Sequence, residues 1–124
     1  MGHEILTPGF ERTDERGLFQ EVLNDGHWES LVVGRMNPDA VLGNHYHKKT
    51  QIFFYLSRGC AHVRTVDVET DEGDVFYLHG GQGVLLRTNE SHAIRFLEES
   101  DFVMLKSLRY NPTDPDTYEC PVED

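Results

Sequence analysis

Gly43-Asn44-His45-Tyr46-His47 is the stretch on which the reading of this chain turns. In an extended strand, residues two apart point to the same face, so His45 and His47 project side by side. Two imidazoles placed this way can chelate a metal ion or work as a paired acid and base. A third ring, His92, stands much later in Asn89-Glu90-Ser91-His92-Ala93-Ile94, where a polar turn leads into a strand. In a barrel these two segments can lie across from each other, and three histidines then surround one hollow. A plainer account stands beside this one, because an HxH pair on a strand is also what two edge histidines look like. His3, His27, His62 and His79 have no comparable neighbours and read as structural or solvated.

The segments around this stretch read as short strands. Phe19–Leu23, Glu29–Met36, Val41–His47, Gln51–Leu56, Ala61–Val68, Val75–Leu78, Gly83–Leu86, Ala93–Leu97 and Phe102–Leu105 carry apolar, aromatic and β-branched residues with period-two alternation. Turn signals separate them. Asp14-Glu15-Arg16-Gly17, Asn24-Asp25-Gly26, Asn37-Pro38-Asp39 and Glu69–Gly73 combine residues that tolerate tight backbone geometry. Strands and turns at this spacing, with no amphipathic helix and no internal repeat, predict an all-β sandwich, jelly roll or barrel. After Leu108 the alternation ends in a Pro- and Asp-rich stretch.

The chain has 124 residues, the size of a single domain. We therefore expect one domain over 1–124, with an N-terminal arm over 1–13 and an acidic, proline-containing tail over 109–124. The formal net charge of −11 argues against nucleic acid or an anionic membrane as partner, since both are bound by clustered Lys and Arg. An anionic substrate would need local arginines working against the global field. No stretch approaches the roughly 18 apolar residues of a membrane span, and the N-terminus lacks a secretory layout, so the expected location is the cytoplasm. Cys60 and Cys120 fit no zinc or CxxC spacing and read as reduced thiols.

Several patches in the same order resemble the cupin superfamily of RmlC-like jelly-roll β-barrels. Its first motif runs glycine, a spacer, HxH, a glutamate and glycine; Gly43, His45, His47 and Gly59 occupy that pattern. Its second places a Pro-x-Gly turn before a single histidine, represented here by Arg87-Thr88-Asn89 and His92. Asp14-Glu15-Arg16-Gly17 with Phe19 and Glu21 resembles the DxRG opening of 4-keto-6-deoxy-sugar 3,5-epimerases. GNHYH and the closing Asn111-Pro112 and Pro115-Asp116-Thr117-Tyr118 resemble the C-terminal cupin domain of capsular-polysaccharide reductase/epimerases. His45, His47 and Lys48, with Gln51 nearby, resemble the HxHK stretch of dTDP-sugar 3,4-ketoisomerases. One position departs: the family's metal-binding glutamate falls on Ile52, and Gln51 could supply a neutral oxygen only through a register shift or bulge.

The resemblance implies a sugar-nucleotide isomerase or epimerase acting on a 4-keto (deoxy)sugar, and a homodimer. His45 or His47 would abstract the proton. A tyrosine would return it or steady the enolate, with Tyr46, Tyr55, Tyr77 and Tyr110 as candidates. Alternation turns Tyr46 away from the histidines, which leaves Tyr55 and Tyr77. Arg16 would bind the diphosphate and could reach a neighbouring subunit's site. Arg35, Arg64, Arg87, Arg95, Lys48 and Asn44 are further candidates for substrate binding. His45, His47 and His92, with Gln51, would hold one divalent metal (Zn, Fe, Mn or Ni), and the alternative is direct acid–base chemistry with no cofactor. Two other readings stay open: a metal-dependent dioxygenase or lyase on a small metabolite, and a non-catalytic sugar- or nucleotide-binding cupin.

Overall fold

A computed structural model describes residues 2–122, so Met1, Glu123 and Asp124 at the ends of the expected arm and tail lie outside the described residues. The chain forms β1 (Phe10–Asp14), β2 (Gly17–Glu21), β3 (Ser30–Met36), β4 (Val41–Tyr46), β5 (Ile52–Arg58), β6 (Cys60–Asp67), β7 (Gly73–His79), β8 (Gln82–Leu86), β9 (Glu90–Phe96), β10 (Ser100–Lys106) and β11 (Tyr118–Glu119). Two antiparallel sheets face each other, ordered β3-β10-β5-β8 and β11-β4-β9-β6-β7. The chain passes between them at most connections, which is the winding of a jelly roll. Strand alternation fills the space between: Ile52, Phe54 and Leu56 from β5 meet Ala61 and Val63 from β6 and Ile94 and Phe96 from β9. Phe102 stacks on Phe54 at 5.4 Å between ring centroids.

The two ends depart from expectation. Residues 10–13 of the expected arm, with Asp14, form β1, which pairs with β2 around a two-residue Glu15-Arg16 turn. Gly17, at a φ of 137°, lets that turn close. Nearly every hairpin residue is exposed, so no buried face stamped a one-sided pattern on its sequence. In the expected irregular tail, Tyr118 and Glu119 pair with Tyr46 and His45 as β11.

One irregularity decides which way the histidines point. On β4, Leu42 lies opposite Ile94 and packs on the core, and Gly43 lies opposite Ala93. Simple alternation would next set Asn44 opposite His92 and turn His45 and His47 outward. Instead the register shifts, and His45 lies opposite His92. Asn44 is the extra residue of a β-bulge, and Gly43 and Asn44 take positive φ values of 110° and 59° to make it. A side chain on Gly43 would run into the His92 backbone carbonyl and approach the His92 ring to 3.0 Å.

Both ends of the chain are strapped to the barrel. Leu6 bridges Gly83. His3 sits between two acids, Nδ1 2.7 Å from Asp74 and Nε2 2.9 Å from Glu90. The sequence reads it as structural or solvated, and it is structural; the acids that hold it are 71 and 87 residues away along the chain. At the other end, the buried Asp116 carboxylate accepts the backbone N–H groups of Lys48, Lys49 and Thr50 and the Thr50 hydroxyl, at 2.8–3.0 Å. Desolvation alone would raise this carboxyl; the Thr50 hydroxyl and the three amides outweigh it and hold it below the ordinary value.

Gly43→Ala tests the bulge. It is expected to cost about 2 kcal/mol or more in urea unfolding, from the strained φ and the collision with β9. A loss of less than about 0.5 kcal/mol, the range of an ordinary surface change, would mean that the bulge is not what aligns β4 with β9.

Candidate functional site

The bulge gathers three rings at one end of the barrel. His45 from β4, His47 just past its end and His92 from β9 have centroids 4.9–5.8 Å apart, and one ligand-capable nitrogen from each lies within 4.8 Å of the others. His92 and His47 are buried, and His45 is half-buried at the opening. Beside His45, a cleft of ≈ 490 Å³ is lined by Gly43, Asn44, Thr117, Glu119 and Pro121. His92 is already inside β9, not in the turn before it, and that turn closes through Asn89 at a φ of 58°.

The protonation of the rings follows from their surroundings. Burial pushes His92 down to about 3, with His45 and His47 adding to the effect. Burial also lowers His45, assisted by His47 and Lys106. In His47, burial and Lys106 outweigh the opposing pull of Asp116. All three rings are therefore neutral at pH 7, the form that can take up a proton or bind a metal. The His47 tautomer is set as well. Its Nδ1 lies 2.7 Å from the Asp116 carbonyl, which can only accept, so Nδ1 carries the hydrogen and Nε2 is left with a lone pair. His47 Nε2 and His92 Nδ1 are buried without a hydrogen-bond partner. Buried polar atoms are rarely left in this state, and three neutral imidazoles with two bare nitrogens suit a divalent ion.

Two residues that the sequence reading passed over complete the site. Asp116 fixes His47 through its carbonyl and the following loop through its carboxylate; the signal available in the sequence was only the family-like Pro-Asp-Thr-Tyr segment. Lys106 is the other. On β10, Phe102 and Met104 face the core, and Lys106, two residues further, points the same way at the barrel end. It pairs across the ladder with Ile52, the position where a metal-binding carboxylate was expected. Ile52 is itself buried in the core. Gln51 does not take its place: the β5–β10 ladder runs regularly here, with Ser107 and Gln51 bonded through Gln51 N–H and carbonyl, so alternation turns Gln51 to the outer side.

Other expected site residues are not brought to the histidines. Tyr55 lies between the inward Phe54 and Leu56 and so faces outward. Tyr77 is 56 % exposed, on the outer face of the other sheet, where it packs against the His62 ring. Arg64, one residue from the inward Val63 and Thr65, shares that outer face. Arg35 is on the outer face of the first sheet, paired with Asp101 at 2.9 Å. Lys48 lies over the Tyr118 ring, which stacks on the outward Tyr46. Arg16 stands at the exposed hairpin tip, paired with Asp14. Asn44 does line the cleft, but its side-chain oxygen accepts the Val122 N–H. For Tyr55, Tyr77, Arg64 and Arg35 the residue type suited the chemistry, while the strand face turned the side chain outward.

Known proteins bear on this arrangement. Spore coat polysaccharide biosynthesis protein SpsL of Bacillus subtilis (strain 168) is 27% identical over 128 residues, covering 92% of this chain and 85% of that one. The capsular polysaccharide assembling protein CapF of Staphylococcus aureus matches 91% of this chain at 26% identity with a TM-score of 0.72; this chain spans 34% of CapF's length. ChmJ of Streptomyces bikiniensis, a 3'-monoepimerase solved in complex with dTDP, matches with a TM-score of 0.79 at 18% identity, over 95% of this chain and 68% of that one, and shares the RmlC-like jelly roll. The family described as polysaccharide biosynthesis C-terminal domain matches residues 12–118, and with nearly the whole chain inside that match, the protein belongs to this family.

Proposed function

We propose that the chain is a cytoplasmic sugar-nucleotide isomerase or epimerase of polysaccharide biosynthesis, acting on a 4-keto (deoxy)sugar. The observation that carries this reading is the neutral His45–His47 pair beside an open cleft, with the His47 tautomer fixed by Asp116. A carbon next to a ketone loses its proton to a base that is unprotonated near neutral pH, and buried imidazoles supply one. His45, which lines the cleft, meets the substrate first, and His47 stands behind it to relay or return the proton. The family's link to polysaccharide biosynthesis and the fold shared with a dTDP-bound epimerase support the same substrate class.

In D2O, the protein is expected to exchange a proton at C3 or C5 of a dTDP- or UDP-4-keto-6-deoxy sugar, read by NMR. Replacing His45 or His47 with Ala should slow exchange by about 10²–10⁴-fold. Absence of exchange in every such sugar would refute the reading.

A metal is a second reading, favoured by the two bare nitrogens inside the triad. His45, His47 and His92 would hold it, and a bound divalent ion would polarise a substrate oxygen. Zinc at about 100 times its Kd should then stabilise the protein by about 2.7 kcal/mol in thermal unfolding, and His92→Ala should remove that effect. An unchanged Tm across added Zn, Fe, Mn and Ni, with metal-free purified protein, would dismiss it.

The hairpin bears on assembly. Phe10, Leu18 and Phe19 are about half exposed or more, on a two-stranded sheet that among the described residues pairs only within itself. Two strands alone are marginally stable in water, so a partner surface is called for. We place a second copy there, with Arg16 carried toward the partner's cleft. Sedimentation should give twice the 14.3 kDa chain mass, falling to one chain on joint Phe10→Ser and Phe19→Ser substitution; a monomeric native protein would contradict this.

A further inference from the structure

We propose that Lys106 is the cation that receives the carbonyl oxygen of the substrate as it becomes an enolate, and that it makes the pocket selective for ligands presenting an oxyanion. The inference deepens the proposed function and rests on it for the identity of the reaction. Three observations lead to it. Lys106 is the inward residue at the end of β10, paired across the ladder with Ile52 and on the side of the barrel facing β4 and β9. Among the described residues its side chain has neither a carboxylate nor a hydrogen-bond partner, whereas Arg16, Arg35, Lys49, Arg58, Arg87 and Arg109 are each paired with an acid. It is also close enough to both His45 and His47 to disfavour their protonation.

A lone ammonium beside three neutral imidazoles is an incomplete charge pair, and the missing partner is an anion. The tyrosines that could have served as electrophile are turned outward, so this side chain takes the role. The step balances without a co-reactant. His45 takes the proton from the carbon next to the ketone. The C–H electron pair becomes the new C=C bond, and the C=O π pair moves to oxygen. The oxygen is then a full anion against the Lys106 ammonium. His45 returns its proton at the neighbouring position, or water entering by the cleft gives one on the opposite face while His45 releases its own to solvent; the C=C pair takes the proton and the oxygen's pair re-forms C=O. Such stabilisation grows as the charge develops, so it acts on the barrier more than on binding of the ketone.

The test has two arms. Oxalate, a planar dianion shaped like an enediolate, is titrated into metal-stripped protein while the ring resonances of His45 and His47 are followed by NMR. The native protein should show saturable shifts at both rings. Lys106→Met should bind oxalate about tenfold more weakly or worse, and Lys106→Arg should stay within about threefold of native. In the second arm, turnover of a 4-keto sugar by Lys106→Met should lose about 10²-fold in kcat with little change in KM, and Lys106→Arg should recover part of the loss. Melting curves of the two variants confirm that they fold. Oxalate that leaves the two rings unshifted in native protein, or binds equally well to the Met variant, overturns the proposal. Lys106-dependent oxalate binding in a protein that turns over no keto sugar sustains the anion site and refutes only the enzymatic reading.

Discussion

One extra residue in β4 turns His45 and His47 toward His92 at the barrel end. The ladder between β4 and β9 is regular as far as Gly43 and Ala93, and from there Asn44 is skipped so that His45 faces His92. Side chains alternate with a period of two, so a shift of one residue reverses every side chain beyond it. Without the bulge, Leu42 would still pack on the core, but His45 and His47 would point to solvent and His92 would stand alone inside. The geometry is made possible by two consecutive residues with positive φ, one of them a glycine with no room for a Cβ against β9.

The chemistry of the rings follows from how deeply they are held. Burial removes the water that would stabilise a charged imidazolium, and three rings in mutual contact make any one protonation harder for the others. The result is a set of neutral imidazoles inside a protein of net charge −11, whose field alone would have favoured protonation. Local desolvation outweighs a charge spread over a screened surface. The same contrast applies to Lys106. Most of the other cations on this chain are tied to acids on the outer faces, where such pairs contribute little, while this one has no acid partner among the described residues.

The tail joins fold and site through a single residue. The Asp116 carboxylate collects three consecutive amides of the β4–β5 loop, and its carbonyl fixes the hydrogen on His47. A stretch that reads as irregular polar chain thus orients one of the three rings of the site. Asp116 adopts a positive φ of 54°, which lets the carboxylate and the carbonyl of one residue serve the same loop.

The strand series, the turns and the HxH pair were legible in the sequence because burial on one face writes a period-two pattern and tight turns demand Gly, Asn and Asp. Asn89 in place of the usual glycine was read correctly for that reason, since its φ of 58° is one that Asn tolerates. The turn at Asp14–Gly17 and part of β2 were legible too, but β1 was not, because both of its faces are largely exposed. Nor was Asp116 or Lys106, whose importance depends on partners more than 50 residues away along the chain. The sequence by itself determined an all-β barrel and the three histidines, since these follow from local periodicity and residue chemistry. Only the tertiary structure decided that Tyr55, Tyr77, Arg35 and Arg64 face outward and that Lys106 faces in, because these strands carry apolar or aromatic residues on both faces, and packing across the sheets then chooses which face turns inward.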